Sequence, residues 1–127
     1  MNVTEFVNRY NSLKTDKDRE VFLNSIKKYN YLPIKKKVEI CKEVFDLSSA
    51  KSFDIPFSII QYIYFVMVII NNYTNINVDY NNICFEYDKL REFDLLQLVL
   101  SLISEDEVAE LNLVRDSGYE VINGLEN

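Results

Sequence analysis

The chain has 127 residues, of which 48% are apolar and 27% charged, with two glycines, two prolines, two cysteines and no histidine. This composition excludes a disordered or fibrous chain and predicts a single domain over residues 1–127 with one core. Without histidine, the usual general base near neutral pH is missing, and two glycines are too few for a phosphate-binding loop. We therefore expect a binding protein rather than an enzyme, with no cofactor and no metal.

Charge is divided unevenly along the sequence. Residues 1–53 carry 11 lysines and arginines against 7 acidic residues, and residues 54–127 carry 3 against 13. The basic half therefore has a net charge of +4 and the acidic half one of −10. Complementary fields of this kind select partners, so we expect a protein partner or a homo-oligomer, and no direct binding of nucleic acid.

The first two helices have clear start signals. Asn2 is a predicted N-cap, with Glu5 three positions later, for a helix over residues 3–13. A second helix is predicted after Thr15, with Lys27 and Lys28 in its last turn, where cations are favoured.

A third helix is predicted from Pro33 to about Leu47. Its lysine triplet, Lys35, Lys36 and Lys37, indicates either a solvated face or a site for an acidic partner. Apolar spacing predicts a core face made of Ile34, Val38, Cys41, Val44 and Phe45.

The middle of the chain contains the longest apolar run. Residues 48–52 are predicted to be a linker, after which Asp54 caps a helix with Pro56 in its first turn. Residues 55–70 are apolar except at three positions and too short to span a bilayer, so they predict a buried central helix and no membrane partner. A β-strand over part of the run stays an alternative, because isoleucine, valine and the aromatic residues favour strands.

Six asparagines lie between residues 71 and 82 and predict an ordered loop. Within it, polar and apolar residues alternate over residues 75–80. Whether those residues form a short strand is left open by the sequence.

The last third of the chain predicts further helices. One covers residues 83–93, and Asp94 is expected to cap another over residues 95–103. Ser104 and Glu107 have the spacing of a capping box for a last helix, with Val108, Leu111 and Val114 inward. Gly118 is expected to end this helix near Ser117.

Carboxylates are the most plentiful reactive groups, and they form two clusters. A metal-dependent nuclease would need such groups on adjacent strands, whereas these segments are predicted to be helical. We therefore treat them, together with the lysine triplet, as candidate partner-binding residues. The acidic candidates are Glu86, Asp88, Glu92, Glu105, Asp106, Glu107 and Glu110.

The two cysteines, Cys41 and Cys84, lie 43 residues apart and match no metal or redox spacing. They are expected to be reduced, buried residues rather than nucleophiles. The N-terminal residues show no basic segment followed by an apolar stretch, so export is not expected.

Three segments carry a resemblance to a group of proteins: residues 5–11, Tyr31 to Cys41, and the apolar run from Tyr64 to Asp79. They resemble small uncharacterised proteins encoded by phages and prophages of AT-rich Gram-positive bacteria. The 14 asparagines and 13 isoleucines, which have AT-rich codons, agree with such an origin. The resemblance implies a setting, and it implies no reaction, ligand or catalytic residue.

These observations predict an all-α domain of five or six helices around a buried central helix. The expected function is a phage-encoded, non-enzymatic protein-interaction module that acts in virion assembly or as an accessory binding protein. The expected location is the cytoplasm of the host cell or the virion. The alternative is an inhibitor of a host defence nuclease, similar in action to an anti-CRISPR protein, whose acidic half imitates nucleic acid.

Overall fold

The computed structural model of the chain describes residues 1–50 and 53–126, and side chains within residues 1–50 and 53–117. This part of the chain confirms the all-α class, with no strand in it. It contains seven α-helices rather than five or six. In chain order these are α1 (Val3–Ser12), α2 (Asp16–Ile26), α3 (Ile34–Ser49), α4 (Phe57–Tyr73), α5 (Ile83–Glu92), α6 (Leu96–Leu100) and α7 (Glu105–Glu126), with a 3₁₀ turn (Tyr80–Asn82) before α5.

The predicted caps of α1 and α2 are confirmed. Oδ1 of Asn2 accepts a hydrogen bond from the Glu5 amide at 2.8 Å, and Nδ2 of Asn2 donates to Oε1 of Glu5 at 3.0 Å. Oγ1 of Thr15 accepts from the Asp18 amide at 3.1 Å. These bonds satisfy amides that have no partner inside a helix, and so they fix where both helices begin.

The asparagine-rich segment pairs with the end of α2. The Lys28 amide donates to the carbonyl of Tyr73 at 2.8 Å, and the Asn75 amide donates to the carbonyl of Ile26 at 2.9 Å. Because these backbone groups bond to the exit of α4, α2 ends at Ile26. The prediction that Lys27 and Lys28 lie in its last turn was therefore wrong.

The same segment also pairs with the start of the chain. The Asn77 amide donates to the carbonyl of Met1 at 2.7 Å, which forms an isolated parallel bridge between Asn2 and Asn77. Residues 75–80 are thus an ordered extended loop held by single bridges, and they do not pair into a sheet within the described part of the chain.

The predicted core face of α3 was correct only at Val44, which is buried. Ile34 and Val38 are exposed, and Cys41 and Phe45 are only half-buried. The buried positions instead follow the spacing of one helical face: Lys37, Ile40, Val44 and Ser48. Because this face contains a lysine and a serine, a search for apolar periodicity selects the neighbouring flank instead.

The linker expected over residues 48–52 begins later than predicted. Ser48 and Ser49 belong to α3, and the Ser48 hydroxyl donates to the carbonyl of Val44 at 2.7 Å. Residues 51 and 52 of this predicted linker lie outside the described residues.

Helix α4 is buried over most of its length. All eight residues from Ile63 to Ile70 are buried, and the helix continues three residues past its predicted end, to Tyr73. It begins at Phe57, with Pro56 as the N-cap residue, so Asp54 does not cap it. The first turns differ from the prediction, because Phe57, Ile59 and Tyr62 remain exposed there, whereas Ile60 is buried.

Asp94 ends α5 instead of capping α6. Its φ angle is 57°, in the left-handed region, and the Leu95 amide donates to the carbonyl of Leu90 at 2.8 Å. The Asp94 amide donates to the carbonyl of Arg91 at 3.1 Å. This pair of bonds is a Schellman motif, in which aspartate occupies the position that usually holds glycine.

Two further boundaries differ from the sequence expectation. Helix α6 has only five residues, Leu96–Leu100, instead of extending over residues 95–103. Helix α7 continues through Gly118 to Glu126, so this glycine does not stop it. Of the three expected inward residues of α7, Leu111 is buried, and Val108 and Val114 are half-buried.

Helices α3, α4 and α7 pack side by side, and four contacts fix their directions. Nζ of Lys37 lies 2.7 Å from Oε2 of Glu107, and four residues later on both helices Sγ of Cys41 lies 3.8 Å from the carbonyl of Leu111. Two contacts with equal spacing show that α3 and α7 run parallel. The guanidinium of Arg115 lies 4.6 Å from the ring centre of Phe65, and the Tyr73 hydroxyl contacts Glu107, so α4 runs antiparallel to α7.

Replacing Asp94 with glycine should raise the free energy of unfolding by about 0.5–1 kcal/mol, because glycine adopts a positive φ angle without the steric cost of a Cβ atom. Asp94→Ala should lower the free energy of unfolding by about 1 kcal/mol, because alanine has the steric cost of a Cβ atom at a positive φ angle. Urea unfolding followed by circular dichroism measures both changes. A loss of stability in Asp94→Gly would contradict the assigned role of this residue.

Candidate functional site

Two of the predicted partner-binding residues form a buried ion pair. Lys37 is 0% exposed and Glu107 is 3% exposed, and their charged atoms are 2.7 Å apart. The other carboxylate oxygen of Glu107 accepts hydrogen bonds from the Leu32 amide at 2.8 Å and the Tyr73 hydroxyl at 3.0 Å. One carboxylate therefore joins α3, α4, α7 and the segment before α3.

The electrostatic balance at Glu107 favours its charged form. Burial by itself would raise the pKa of this carboxyl, but the Lys37 ammonium, the Leu32 amide and the Tyr73 hydroxyl outweigh it and hold the pKa below its ordinary value. The ring of Tyr31, whose centre is 4.5 Å from Nζ of Lys37, adds a favourable contact with the cation.

This arrangement corrects the role expected for Lys37 and Glu107. Their side chains lie in the interior and are unavailable to a partner at the surface. Ser104 does accept a hydrogen bond from the Glu107 amide, at 3.3 Å, but the Glu107 side chain bonds to Lys37 instead of completing the capping box. The signal that could have revealed Lys37 is its spacing from Ile40 and Val44 on one helical face.

The other two lysines of the triplet are exposed. Lys35 and Lys36 lie at the surface of α3, and Nζ of Lys36 is 3.7 Å from a carboxylate oxygen of Glu39. An exposed pair of this kind contributes little to stability, so both lysines are accessible to a partner.

The acidic cluster on α5 is divided between the interior and the surface. Glu86 is buried, and its Oε1 atom accepts a hydrogen bond from the Asp79 amide at 2.8 Å. Burial raises the pKa of Glu86, and the Asp79 amide and Lys89 only partly offset this effect. Asp88 and Glu92 are exposed.

The acidic cluster on α7 is divided in the same way. Glu105 and Asp106 are exposed, Glu107 is buried, and Glu110 is half-buried, with an oxygen 3.5 Å from Nζ of Lys37. Helix α7 packs on α3, whereas α5 packs on α1 and α4. Since each cluster also turns one carboxylate inward, the seven acidic candidates do not form one continuous surface.

Neither cysteine has the surroundings of a nucleophile. Burial raises the pKa of the Cys41 thiol to about 11, and burial also raises the pKa of Cys84. Among the residues whose side chains are described, no three cysteines or carboxylates are grouped so that they could hold a metal ion. None of the helices in the described part of the chain has the length and apolar content that crossing a membrane requires.

A shallow groove of about 560 Å³ lies against α1 and α2. Arg9, Asp18 and Phe22 line it, together with Asn75 from the asparagine-rich loop. Its two charged side chains have opposite signs and form no hydrogen-bonded set, so the groove does not define a catalytic centre.

The start of α4 presents an apolar surface that sequence reasoning missed. Ile55 is 40% exposed, Ile59 49% and Tyr62 46%. Ile59 and Tyr62 are three residues apart, which places them on one side of the first turns of α4, and Ile55 lies in the segment just before the helix. We call these three residues the α4-start patch. The sequence assigned them to the interior, because a fully apolar run gives no sign of where burial ends.

Comparison with known proteins identifies no relative. No family model matches the chain, and no curated protein or solved structure matches it. The functional argument therefore rests on the residues of the chain itself.

Glu107→Gln should lower the free energy of unfolding at neutral pH by about 3 kcal/mol, because it leaves the buried Lys37 ammonium with only the half-buried Glu110, 3.5 Å away, as a counter-charge. Glu86→Gln is the matched control, since that carboxylate is also buried but bonds to a backbone amide. It should change stability by no more than about 1 kcal/mol. Urea unfolding measures both changes, and an equal loss of stability in the two variants would contradict the structural role of the ion pair.

The two variants should also differ in their pH dependence. The pKa of Glu107 is below its ordinary value of 4.5, so its contribution to stability is complete above that value and disappears as the pH falls through the lower folded pKa. The penalty of Glu107→Gln should therefore shrink as the pH falls below about 4.5. The pKa of Glu86 is raised, so its charge destabilises the fold at neutral pH and the penalty of Glu86→Gln should grow as the pH falls. If the two variants showed parallel pH profiles of stability, the pKa values of Glu107 and Glu86 would not be shifted in opposite directions.

Cys41 should react slowly with a thiol reagent. Because the thiolate is the reactive form, a pKa of about 11 predicts a rate that rises about tenfold per pH unit from neutral pH upward. At pH ~8 the rate should be about 100-fold below that of an unshielded cysteine. Absorbance measurements of the reaction on a Cys84→Ser variant isolate this thiol, and a fast, pH-independent reaction would contradict its burial.

Proposed function

We propose that this protein is a non-enzymatic interaction module that binds a partner protein through the α4-start patch. The observation that supports the proposal is the exposure of Ile59 and Tyr62 on a helix in which all eight residues from Ile63 to Ile70 are buried, together with the exposed Ile55 just before that helix. Scattered exposed apolar residues are normal on a protein surface, but adjacent ones on a rigid helix favour an interaction site.

The energetics agree with a protein partner. Complete burial of one large apolar side chain contributes about 1.5–3 kcal/mol, so a patch of three supplies a substantial part of a micromolar binding energy. Tyr62 also brings a hydroxyl group, and tyrosine is enriched at the centres of interfaces. The buried remainder of α4 holds the patch in place, which limits the entropy lost on binding.

The proposed setting is a phage-encoded protein that acts in virion assembly or as an accessory binding protein. It rests on the resemblance described above and on the abundance of residues with AT-rich codons. The partner would be a host or phage protein, encountered in the cytoplasm of the host cell or in the virion. The net charge of −10 over residues 54–127 favours a partner with a basic rim.

Imitation of nucleic acid by the acidic half, as in an inhibitor of a defence nuclease, is less well supported. It requires a continuous row of carboxylates, and Glu86 and Glu107 are withdrawn from the surface. The alternative predicts binding that falls steeply with salt and that depends on Glu105 and Asp106, so it is distinguishable from binding through an apolar patch.

The double variant Ile59→Ser and Tyr62→Ser should lose its partner in affinity capture, with a dissociation constant at least about tenfold higher once the partner is purified. Val21→Ser is the control, because Val21 is also an exposed apolar residue but lies on α2. The Glu105→Gln and Asp106→Asn double variant tests the alternative. A partner retained by the patch variant and lost by the acidic variant would contradict the proposal and favour imitation of nucleic acid.

A further inference from the structure

The shallow groove against α1 and α2 follows the whole length of these two helices. It begins beside Leu13 and Asp18, where a short connection joins the helices, and it ends beside Met1 and Ile26, with Asn75 at this end. The 10 residues of α1 rise over about 15 Å, so the groove is about as long as three turns of a helix. We call it the hairpin groove.

Large side chains lie between α1 and α2. The rings of Phe6 and Phe22 stack with their centres 5.7 Å apart, and the guanidinium of Arg19 lies 5.3 Å from the centre of the Tyr10 ring. These two contacts show that the helices run antiparallel. Because the helices meet through rings and a long side chain, their backbones stay apart and a groove remains between them.

Apolar side chains form the middle of the hairpin groove. Leu13 and Phe22 are half-buried there, and Val21 is 61% exposed. Helix α2 contributes one continuous face, since its lining residues lie at positions 18, 21, 22, 25 and 26. The groove therefore offers apolar contact on a helix surface whose position is fixed by packing.

Two charged side chains line the groove among the described residues, and they lie on opposite walls. Arg9 belongs to α1 and Asp18 to α2. Because Phe6 meets Phe22, Asp18 is level with residue 10, and its level differs from that of Arg9 by about 2 Å. Neither the guanidinium nor the carboxylate forms an ion pair or a hydrogen bond with a described residue.

The neighbouring charges of the two helices lie outside the groove lining. Glu5 precedes Arg9 by one turn, but its carboxylate accepts a hydrogen bond from Nδ2 of Asn2 at 3.0 Å. Lys17 and Glu20 are exposed on α2 and do not line the groove either. The groove therefore has one cationic and one anionic wall near the end where the helices join.

We propose that the hairpin groove binds an amphipathic α-helix of a partner protein. Small-molecule sites enclose about 70–90% of the ligand surface, which a shallow groove does not provide, whereas an amphipathic helix needs contact on one face only. The apolar seam of the bound helix packs on Leu13, Val21 and Phe22. An acidic side chain on one flank of the seam meets Arg9, and a basic side chain on the other flank meets Asp18.

The opposite walls define the charge pattern of the bound helix. A helix with carboxylates on both flanks would place one of them against Asp18, and a helix with cations on both flanks would place one against Arg9. The net charge of −6 would by itself favour the helix with cations on both flanks. A preference for mixed flanks would therefore come from the groove and not from the field of the whole chain.

Selection from a displayed peptide library tests the proposal. The library consists of helical peptides of about 18 residues, randomised at the seam and both flanks, and the complete chain is the bait. We expect enriched peptides with an apolar seam, an acidic flank and a basic flank, and dissociation constants in the micromolar range. Val21→Ser should raise the dissociation constant of the enriched peptide at least about fivefold. No enrichment, or equal binding by Val21→Ser, would overturn the proposal.

Charge reversal on each wall tests the assigned charge pattern. Arg9→Glu creates two acidic walls, so this variant should prefer a version of the peptide with basic residues on both flanks by about tenfold. Asp18→Lys should prefer the version with two acidic flanks, and the double variant should again prefer mixed flanks.

Lys17→Glu is the matched control, because it changes the net charge as Arg9→Glu does but lies outside the groove lining. It should keep the preference for mixed flanks. Circular dichroism establishes that each variant is folded. If neither single wall variant changed its preference, or if Lys17→Glu changed it equally, the charge pattern would be wrong.

This inference is independent of the proposed partner site. The Ile59→Ser and Tyr62→Ser double variant should bind the enriched peptide like the unmodified chain, and Val21→Ser should keep the partner of the α4-start patch. Loss of the peptide by the double variant would overturn the assignment to the hairpin groove. Sedimentation equilibrium tests a second copy as the occupant, and a dimer that Val21→Ser dissociates would overturn binding of a partner helix.

Discussion

The buried pair of Lys37 and Glu107 is the interaction on which the arrangement of the largest helices depends. A buried ammonium or carboxylate is costly unless its charge and hydrogen bonds are satisfied. Here the geometry satisfies Glu107 completely, with a cation, a backbone amide and a hydroxyl, and each comes from a different segment. Apolar packing alone would hold α3, α4 and α7 together, but the ion pair also fixes their register, because a shift of one turn would leave both charges unpaired.

Much of the fold can be predicted from local chemistry. The N-caps at Asn2 and Thr15, the all-α class and the burial of most of α4 follow from side-chain types and spacing within a few residues. The errors arise where distant residues decide. Asp94 is a capping residue by type, but the bonds of Leu95 and Asp94 to the preceding turn make it the end of α5. Helix α2 stops at Ile26 because the exit of α4, almost fifty residues away in sequence, bonds to its backbone.

The candidate site was less predictable than the fold for a related reason. A charged residue can reach a partner only if it is at the surface. Residue type alone does not distinguish Lys36, which is exposed, from Lys37, which is buried. The same limit applies to Glu107 among its acidic neighbours. Conversely, Ile59 and Val38 belong to apolar patterns that predict burial, yet both are exposed. The α4-start patch therefore consists of residues that the apolar pattern assigned to the core.

The bridges between the asparagine-rich loop and the two N-terminal helices have an evolutionary consequence. Main-chain atoms alone make these bonds, with the amides of Lys28, Asn75 and Asn77 as donors. Side-chain replacement at these positions leaves the bonds intact, and proline is the residue that removes a donor. Homologous proteins can therefore differ at positions 28, 75 and 77 while keeping these bonds, so a low similarity at those positions would be weak evidence against common descent.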